Sequence, residues 1–270
     1  MKLDIGAIWN EATELVRANK EVLAALAGVF FLLPSFAFTL LMPAPQPQPG
    51  DSPERMYKMM TDFYASAAPW LLAMVLVQAL GQLAAFALLA RSGRTTVGDA
   101  LREGLQGMLP YIGTQLIFGL VLTVIAGVLV GIAAGSGSVG LAVLLGLVAA
   151  VGVIYASLRL AMMLPVIAIE RVRNPLAVLK RSWDLTAGNV GGILLFMLML
   201  FIAFIVAAIV LGIVTGLIAG LFGGGRAIEL TGAATSSTLG AAFTVYVIAA
   251  IAAMHRRLSG GEASRADVFN

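Results

Sequence analysis

The sequence predicts an all-α, polytopic membrane protein: six transmembrane helices in three helical pairs, each pair preceded by an amphipathic interfacial helix. Three observations predict it. The chain is 60% hydrophobic and 11% charged over 270 residues, with a mean hydropathy of +0.98, outside the balance of soluble domains. Its uncharged runs are long enough for membrane helices, each of which needs about 20 apolar residues. A short amphipathic, partly charged block followed by two such runs also occurs three times, which predicts an internal repeat.

The elements follow in order. Ile5, Ile8, Trp9, Ala12 and Val16 recur at helical spacing, with Asn10, Glu11, Glu14 and Arg17 on the other face, so the first block, Ile5 to Asn19, is an amphipathic helix. The 29 uncharged residues between Glu21 and Asp51 hold span one. Its polar approach, and an end in Leu-Leu-Met-Pro without a small-x-small cleavage site, predict a retained anchor instead of a removable signal peptide. Ala44 to Ala67 is the longest polar stretch; its prolines and glutamines predict a stiff spacer, and Pro53 to Tyr64 a short surface helix. Span two lies in the 28 residues between Asp62 and Arg91.

The second block, Val97 to Tyr111, repeats the apolar face with Val97, Ala100, Leu101, Gly104 and Met108, and Thr96 with Asp99 predicts its capping box. The 55 residues between Glu103 and Arg159 hold spans three and four, with a turn at Gly135-Ser136-Gly137-Ser138. The third block, Pro175 to Asn189, opens with Asn174 as N-cap and proline at the first helical position, and carries Leu176, Leu179 and Trp183 along one side. Spans five and six lie in the 41 residues between Asp184 and Arg226 and the 26 between Glu229 and Arg256. Each block is expected to lie flat at the inner surface and turn sharply into its span. Pro34 and Pro165 predict kinks. Glycine at every fourth position, Gly127, Gly131 and Gly135 in span three and Gly212, Gly216 and Gly220 in span five, predicts close helix contacts. The whole chain, 1–270, reads as one membrane domain, with repeat units of about 1–91, 92–172 and 173–257 and a polar tail at 258–270.

Basic residues resist translocation, so their distribution sets orientation. With the N-terminus inside, thirteen Lys and Arg fall on inner segments against three outside, Arg55, Lys58 and Arg226; both termini are therefore expected in the cytoplasm. The even-numbered spans exit into basic pairs suited to an anionic inner leaflet: Arg91 with Arg94, Arg171 with Arg173, and Arg256 with Arg257; Lys180 and Arg181 add to this inner-surface charge. The net charge of +3 has no soluble domain to carry it as a nucleic-acid footprint, so no nucleic-acid partner is expected.

Chemistry is sparse. Cysteine is absent, and the single histidine, His255, reads as an interfacial residue beside Arg256 and Arg257. No Asp or Glu falls in a span core, and no nucleophile, base or metal set is clustered, so neither an enzyme nor a cofactor is expected. Arg159 is the exception. Two readings stand for it: snorkelling to inner headgroups, or an anion or phospholipid-headgroup site facing the bundle. Gln78 and Gln82, one turn apart in span two, and Tyr155, Ser157, Thr244 and Tyr246 read as interhelical hydrogen-bonding groups or as a polar pathway lining. Trp9, Trp70 and Trp183 fit an interfacial belt.

The run Arg159 to Glu170, Arg-Leu-Ala-Met-Met-Leu-Pro-Val-Ile-Ala-Ile-Glu, followed by Asn174 to Asn189, resembles the six-helix membrane domain fused to some glycerophosphoryl diester phosphodiesterases, with YciC-like stand-alone relatives. The resemblance implies a multi-pass protein of the bacterial inner membrane. It brings no phosphodiesterase activity, since the catalytic barrel has no counterpart in these residues. The expected role is a non-enzymatic membrane module that binds or organises membrane lipids, a membrane protein partner or a second copy of itself. The alternative is a transporter or flippase of a lipid-like amphiphile.

Overall fold

A computed structural model describes residues 3–42, 45–90, 96–222 and 225–266, with side chains described to residue 260 apart from that of residue 222. Lys2, Arg91 and Arg94, counted above among the inner-surface charges, lie outside the described residues, as does the side chain of Arg265. The described chain is helical, with no strand among the described residues, and six of its helical segments are long and apolar enough to cross a membrane.

Helix α1, Ile5–Ala18, is capped by Asp4, whose carboxylate accepts from the Ala7 amide at 3.1 Å, and it ends at Asn19. Span one is α2, Lys20–Ala27, a π-helical turn at Gly28–Leu32, and α3, Leu33–Leu41. Pro34 has no amide hydrogen and cannot continue the α-helical ladder, and the chain takes the wider π turn just before it. Span two is α4, Pro53–Ala90. The surface helix expected over Pro53 to Tyr64 is the first part of this one helix, because nothing between Tyr64 and Ala90 stops it; Pro69 is accommodated inside.

Span three, α5, Val97–Ser136, differs from expectation in the same way: its amphipathic block continues into the span without a break. The three blocks diverge within two adjacent matched positions, Gly188 aligning with Pro110 and Asn19 lying one place further on. Gly188, at φ +74°, stops the third block and Asn19 interrupts the first, whereas Pro110 keeps helical φ, and the Thr114 hydroxyl donates to its carbonyl at 2.7 Å. The Thr96 cap is as expected, accepting from the Asp99 amide at 3.2 Å. Gly137, left-handed at φ +61°, makes the turn into α6, Val139–Arg159. Span four then breaks at Leu160–Met162 and resumes as α7, Met163–Ala168, which contains Pro165. The third block is α8, Pro175–Thr186, with Asn174 Oδ1 accepting from the Leu176 amide at 2.9 Å. Spans five and six are α9, Val190–Phe222, and α10, Gly225–Ala266.

The most extensive helix contacts join α4 to α5 and α9 to α10, and α1 packs along α10. The core gathers at the end that carries α1, α7 and α8, around fully buried Ile8, Leu23, Phe86, Met162, Ile167 and Ile193. We call this the packed end. At the opposite, open end α5, α6 and α9 expose apolar side chains such as Ile125, Leu147, Val151 and Ile213. The glycine stripes lie largely in this open part. A Cβ at Gly127, Gly131, Gly135, Gly212, Gly216 or Gly220 would meet nothing within 4 Å, so the close contacts expected there are not made within the chain. They occur instead at glycines such as Gly81, where a Cβ would overlap Phe30, and Gly104, where one would lie 3.1 Å from the Ala84 amide nitrogen.

Candidate functional site: a buried arginine at the mouth of an apolar groove

The break in span four creates the site. With the Met163 amide donating to Leu160, the Arg159 carbonyl has no helical partner and accepts from two hydroxyls of α8 instead, Ser182 Oγ at 2.9 Å and Thr186 Oγ1 at 3.1 Å. Ser182 and Thr186 belong to the face of α8 that is buried in the bundle, with Val178 and Leu185. The Leu176, Leu179 and Trp183 side faces away from this core, with Leu176 and Trp183 exposed. The hydroxyl pair therefore docks α8 against the last turn of α6.

Docking brings Trp183 beneath the Arg159 side chain. The guanidinium carbon stands 4.4 Å from the Trp183 ring centroid and 5.9 Å from that of Tyr155, and the two rings meet edge to face at 6.0 Å. Such stacking contributes about 0.5–2 kcal/mol, more as water is excluded. Arg159 is only 8% exposed, and its Nε is buried without a hydrogen-bond partner. Among the described residues no carboxylate pairs with it, nor with exposed Arg173 and Lys180. A buried cation with an open donor is costly unless an anion or polar group completes it.

Trp183 also closes one end of a groove of about 670 Å³ between α5 and α6. Ile117, Val121 and Ile125 form one wall; Ala149, Gly152 and Ala156 form the other; Leu179, Lys180 and Trp183 of α8 stand at its end. Ala149, Gly152 and Ala156 make the α6 wall shallow beside Val148 and Val153, and a Cβ at Gly152 would meet nothing within 4 Å. The groove is the space those missing side chains leave.

A second cluster holds α8 from the other side. Glu170, just after α7, accepts from Arg181 Nε at 2.8 Å and pairs with His255 Nε2 of α10 at 2.9 Å. Burial alone would push the Glu170 carboxyl up. The hydrogen bonds from His255 and Arg181, with the charge of Arg181, outweigh burial and lower it from the ordinary 4.5 to about 2. His255 is 3% exposed, turned into the protein, and its Nδ1 is buried without a partner. The basic pairs serve similar ties. Arg257 Nε binds Glu11 at 2.9 Å, Arg256 donates to the Leu89 carbonyl at 2.6 Å, and Arg171 binds Glu103 at 2.7 Å.

Of the polar span residues, Arg159 and Tyr155 come together, while Gln78 does not join them: its amide donates to Ser35 of span one at 3.4 Å. Neither Gln78 nor Gln82 lines the groove. Tyr246 meets Thr13 of α1 at 2.9 Å, an interhelical bond. Sequence reasoning missed the Glu170–His255–Arg181 cluster. Glu170 and His255 are 85 positions apart, so no spacing links them; the one available signal was that both close an even-numbered span beside basic residues.

The model of DUF7544, a family of unknown function, matches residues 15–257. The chain belongs to this family. The DUF7544 match takes in the groove, Arg159 and the Glu170 cluster, and begins within α1. No curated protein and no solved structure matches the chain. Among the described residues, no group of three or more His, Cys, Asp or Glu is placed to hold a metal ion.

Proposed function

We propose that this protein is a non-enzymatic, multi-pass protein of the bacterial inner membrane that binds an anionic membrane lipid, with both termini in the cytoplasm. In this reading the packed end lies at the inner leaflet, and α1, the start of α5 and α8 are its interfacial helices. The basic excess of the segments at that end supports the orientation. The resemblance of Arg159 to Asn189 to the phosphodiesterase-associated membrane domain is kept as part of the proposal.

The observation that carries the reading is Arg159: buried, stacked on Trp183, unpaired by any described carboxylate, and left with an open donor. An inner-leaflet phosphate is the anion such a residue meets in a membrane. The transporter alternative has less behind it, because Gln78 is engaged with Ser35 and lies off the groove.

The test is native mass spectrometry in gentle detergent, comparing wild type with Arg159→Ala and with Arg173→Ala. The expected result is an anionic phospholipid retained by wild type and Arg173→Ala and lost from Arg159→Ala. Equal retention by all three would overturn the reading.

A further inference from the structure

We propose that the groove between α5 and α6 is an acyl slot: it takes one long hydrocarbon chain of the anionic phospholipid whose headgroup sits at Arg159 and Lys180. This rests on the lipid-binding reading above and adds the placement and the chemical class of the ligand.

Shape supports it. From Ile117 to Leu129 on α5 the lining residues cover twelve helical steps, about 18 Å at 1.5 Å per residue, and the facing side runs from Val148 to Ala156 on α6 and on to Leu160 just past its end. Half of a hydrocarbon core of about 30 Å is about 15 Å, so the groove runs the depth of one leaflet. Its volume of about 670 Å³ falls within the range of small-ligand sites. Its walls are apolar up to α8, where Lys180 and Trp183 stand; Arg159 does not line the groove itself but stacks on the indole that does. Charge at one end and hydrocarbon along the rest match an amphiphile lying along the membrane normal, headgroup at the packed end.

Energetics assign the two parts different work. A lipid tail leaving bulk lipid for an apolar groove gains packing but no hydrophobic free energy, so the cations hold the molecule and the groove selects its chain. The small residues fit this division. Helices α5 and α6 do not close over Ala149, Gly152 and Ala156, and Gly152 faces open space.

Gly152→Phe is therefore the plug, since Gly152 lines the groove and a Cβ there meets nothing within 4 Å, and Gly131→Phe is its control, at an equally open glycine that does not line the groove. Delipidated wild type, both variants and Arg159→Ala would be titrated with dipalmitoyl phosphatidylglycerol, its dihexanoyl analogue and dipalmitoyl phosphatidylcholine, with binding read by native mass spectrometry. The expected results are about tenfold weaker binding of the dipalmitoyl anion to Gly152→Phe, unchanged binding to Gly131→Phe, and weak binding of the other two lipids to wild type. Loss in Arg159→Ala with full binding in Gly152→Phe would overturn the slot and leave the headgroup reading standing. Undiminished binding in both would overturn both. Should Gly152→Phe not fold, the wild-type comparison decides alone: a dihexanoyl lipid held as tightly as the dipalmitoyl one means that no chain is gripped.

Discussion

The packed end and the α5–α6 hairpin are built from the same residue types to opposite effect. At the packed end a small residue is a contact: Gly81 admits Phe30, and Gly104 admits the backbone of α4. In the hairpin a small residue is a space: Gly152 and its neighbours Ala149 and Ala156 leave a groove that no side chain fills. Charged groups follow much the same split, although His255 in the packed end also keeps one ring nitrogen without a partner. The packed end ties helices together through Glu170, Glu11, Ser182 and Thr186, whereas Arg159, where the two regions meet, keeps an unused donor. Small residues in membrane helices thus do not define contacts by themselves; the neighbouring helix has to be held close by something else, and here it is held only at one end.

The sharpest way to break this comparison is a matched pair of glycine substitutions. Gly81→Leu is expected to destabilise the protein by about 3 kcal/mol or more, since overpacking a tight contact costs about 1–3 kcal/mol and this one overlaps Phe30 at Cβ. Gly131→Leu, in open space, is expected to leave thermal stability in detergent unchanged. Equal effects would dissolve the distinction between the two ends.

Next in size is Glu170→Gln. It leaves His255 and Arg181 without their carboxylate and is expected to cost about 1–2 kcal/mol, below the several kcal/mol of a fully buried pair because the Glu170 side chain is 21% exposed. The pH dependence has a definite sign. A carboxyl lowered from 4.5 to about 2 stabilises the folded state fully above pH 4.5 and loses that contribution as pH falls toward 2. The stability gap between wild type and Glu170→Gln should therefore narrow as pH falls across that window, measured by thermal unfolding of both proteins.

Of similar total size, and smaller per residue, is the pair Ser182→Ala with Thr186→Val, which frees the Arg159 carbonyl. Each lost hydrogen bond is expected to cost about 1 kcal/mol. Because α8 is then held less firmly under Arg159, lipid retention should fall as well as stability. The smallest effect belongs to Trp183→Leu, which keeps an apolar end to the groove but removes the aromatic face under the guanidinium, with an expected loss of about 1 kcal/mol. Trp183→Phe should restore part of it.

Much of the architecture was legible in the sequence. Charge-free runs located all six membrane-length helices, and Asn174, Thr96 and the Gly-Ser turn were read as the caps and turn they are. Continuity was not legible: whether a block breaks from its span depends on one residue, and Pro110 continues where Gly188 stops, against the usual expectation for proline. The regular glycine spacing indicated faces able to pack but carried no information on whether a partner arrives, while glycines that do pack, among them Gly81, Gly104, Gly107 and Gly113, lie outside the two stripes. Arg159 stood out as a charge inside an apolar region. Its partner did not, because Trp183 also fits an interfacial belt and only the docking of α8 by two hydroxyls puts it under the guanidinium. The partner of His255 was hidden for the same reason, being a glutamate from another part of the chain.

The most direct test of the central claim is where a bound lipid lies. A phosphatidylglycerol carrying a photoreactive diazirine near the end of one acyl chain would be bound to the purified protein, cross-linked by light, and its attachment mapped by peptide mass spectrometry. The account predicts labels concentrated at the far end of the groove, on Ile125, Leu129 and Val148, and their loss in Gly152→Phe. Labels spread evenly over the exposed faces of α5, α6 and α9, and unchanged by that substitution, would contradict it.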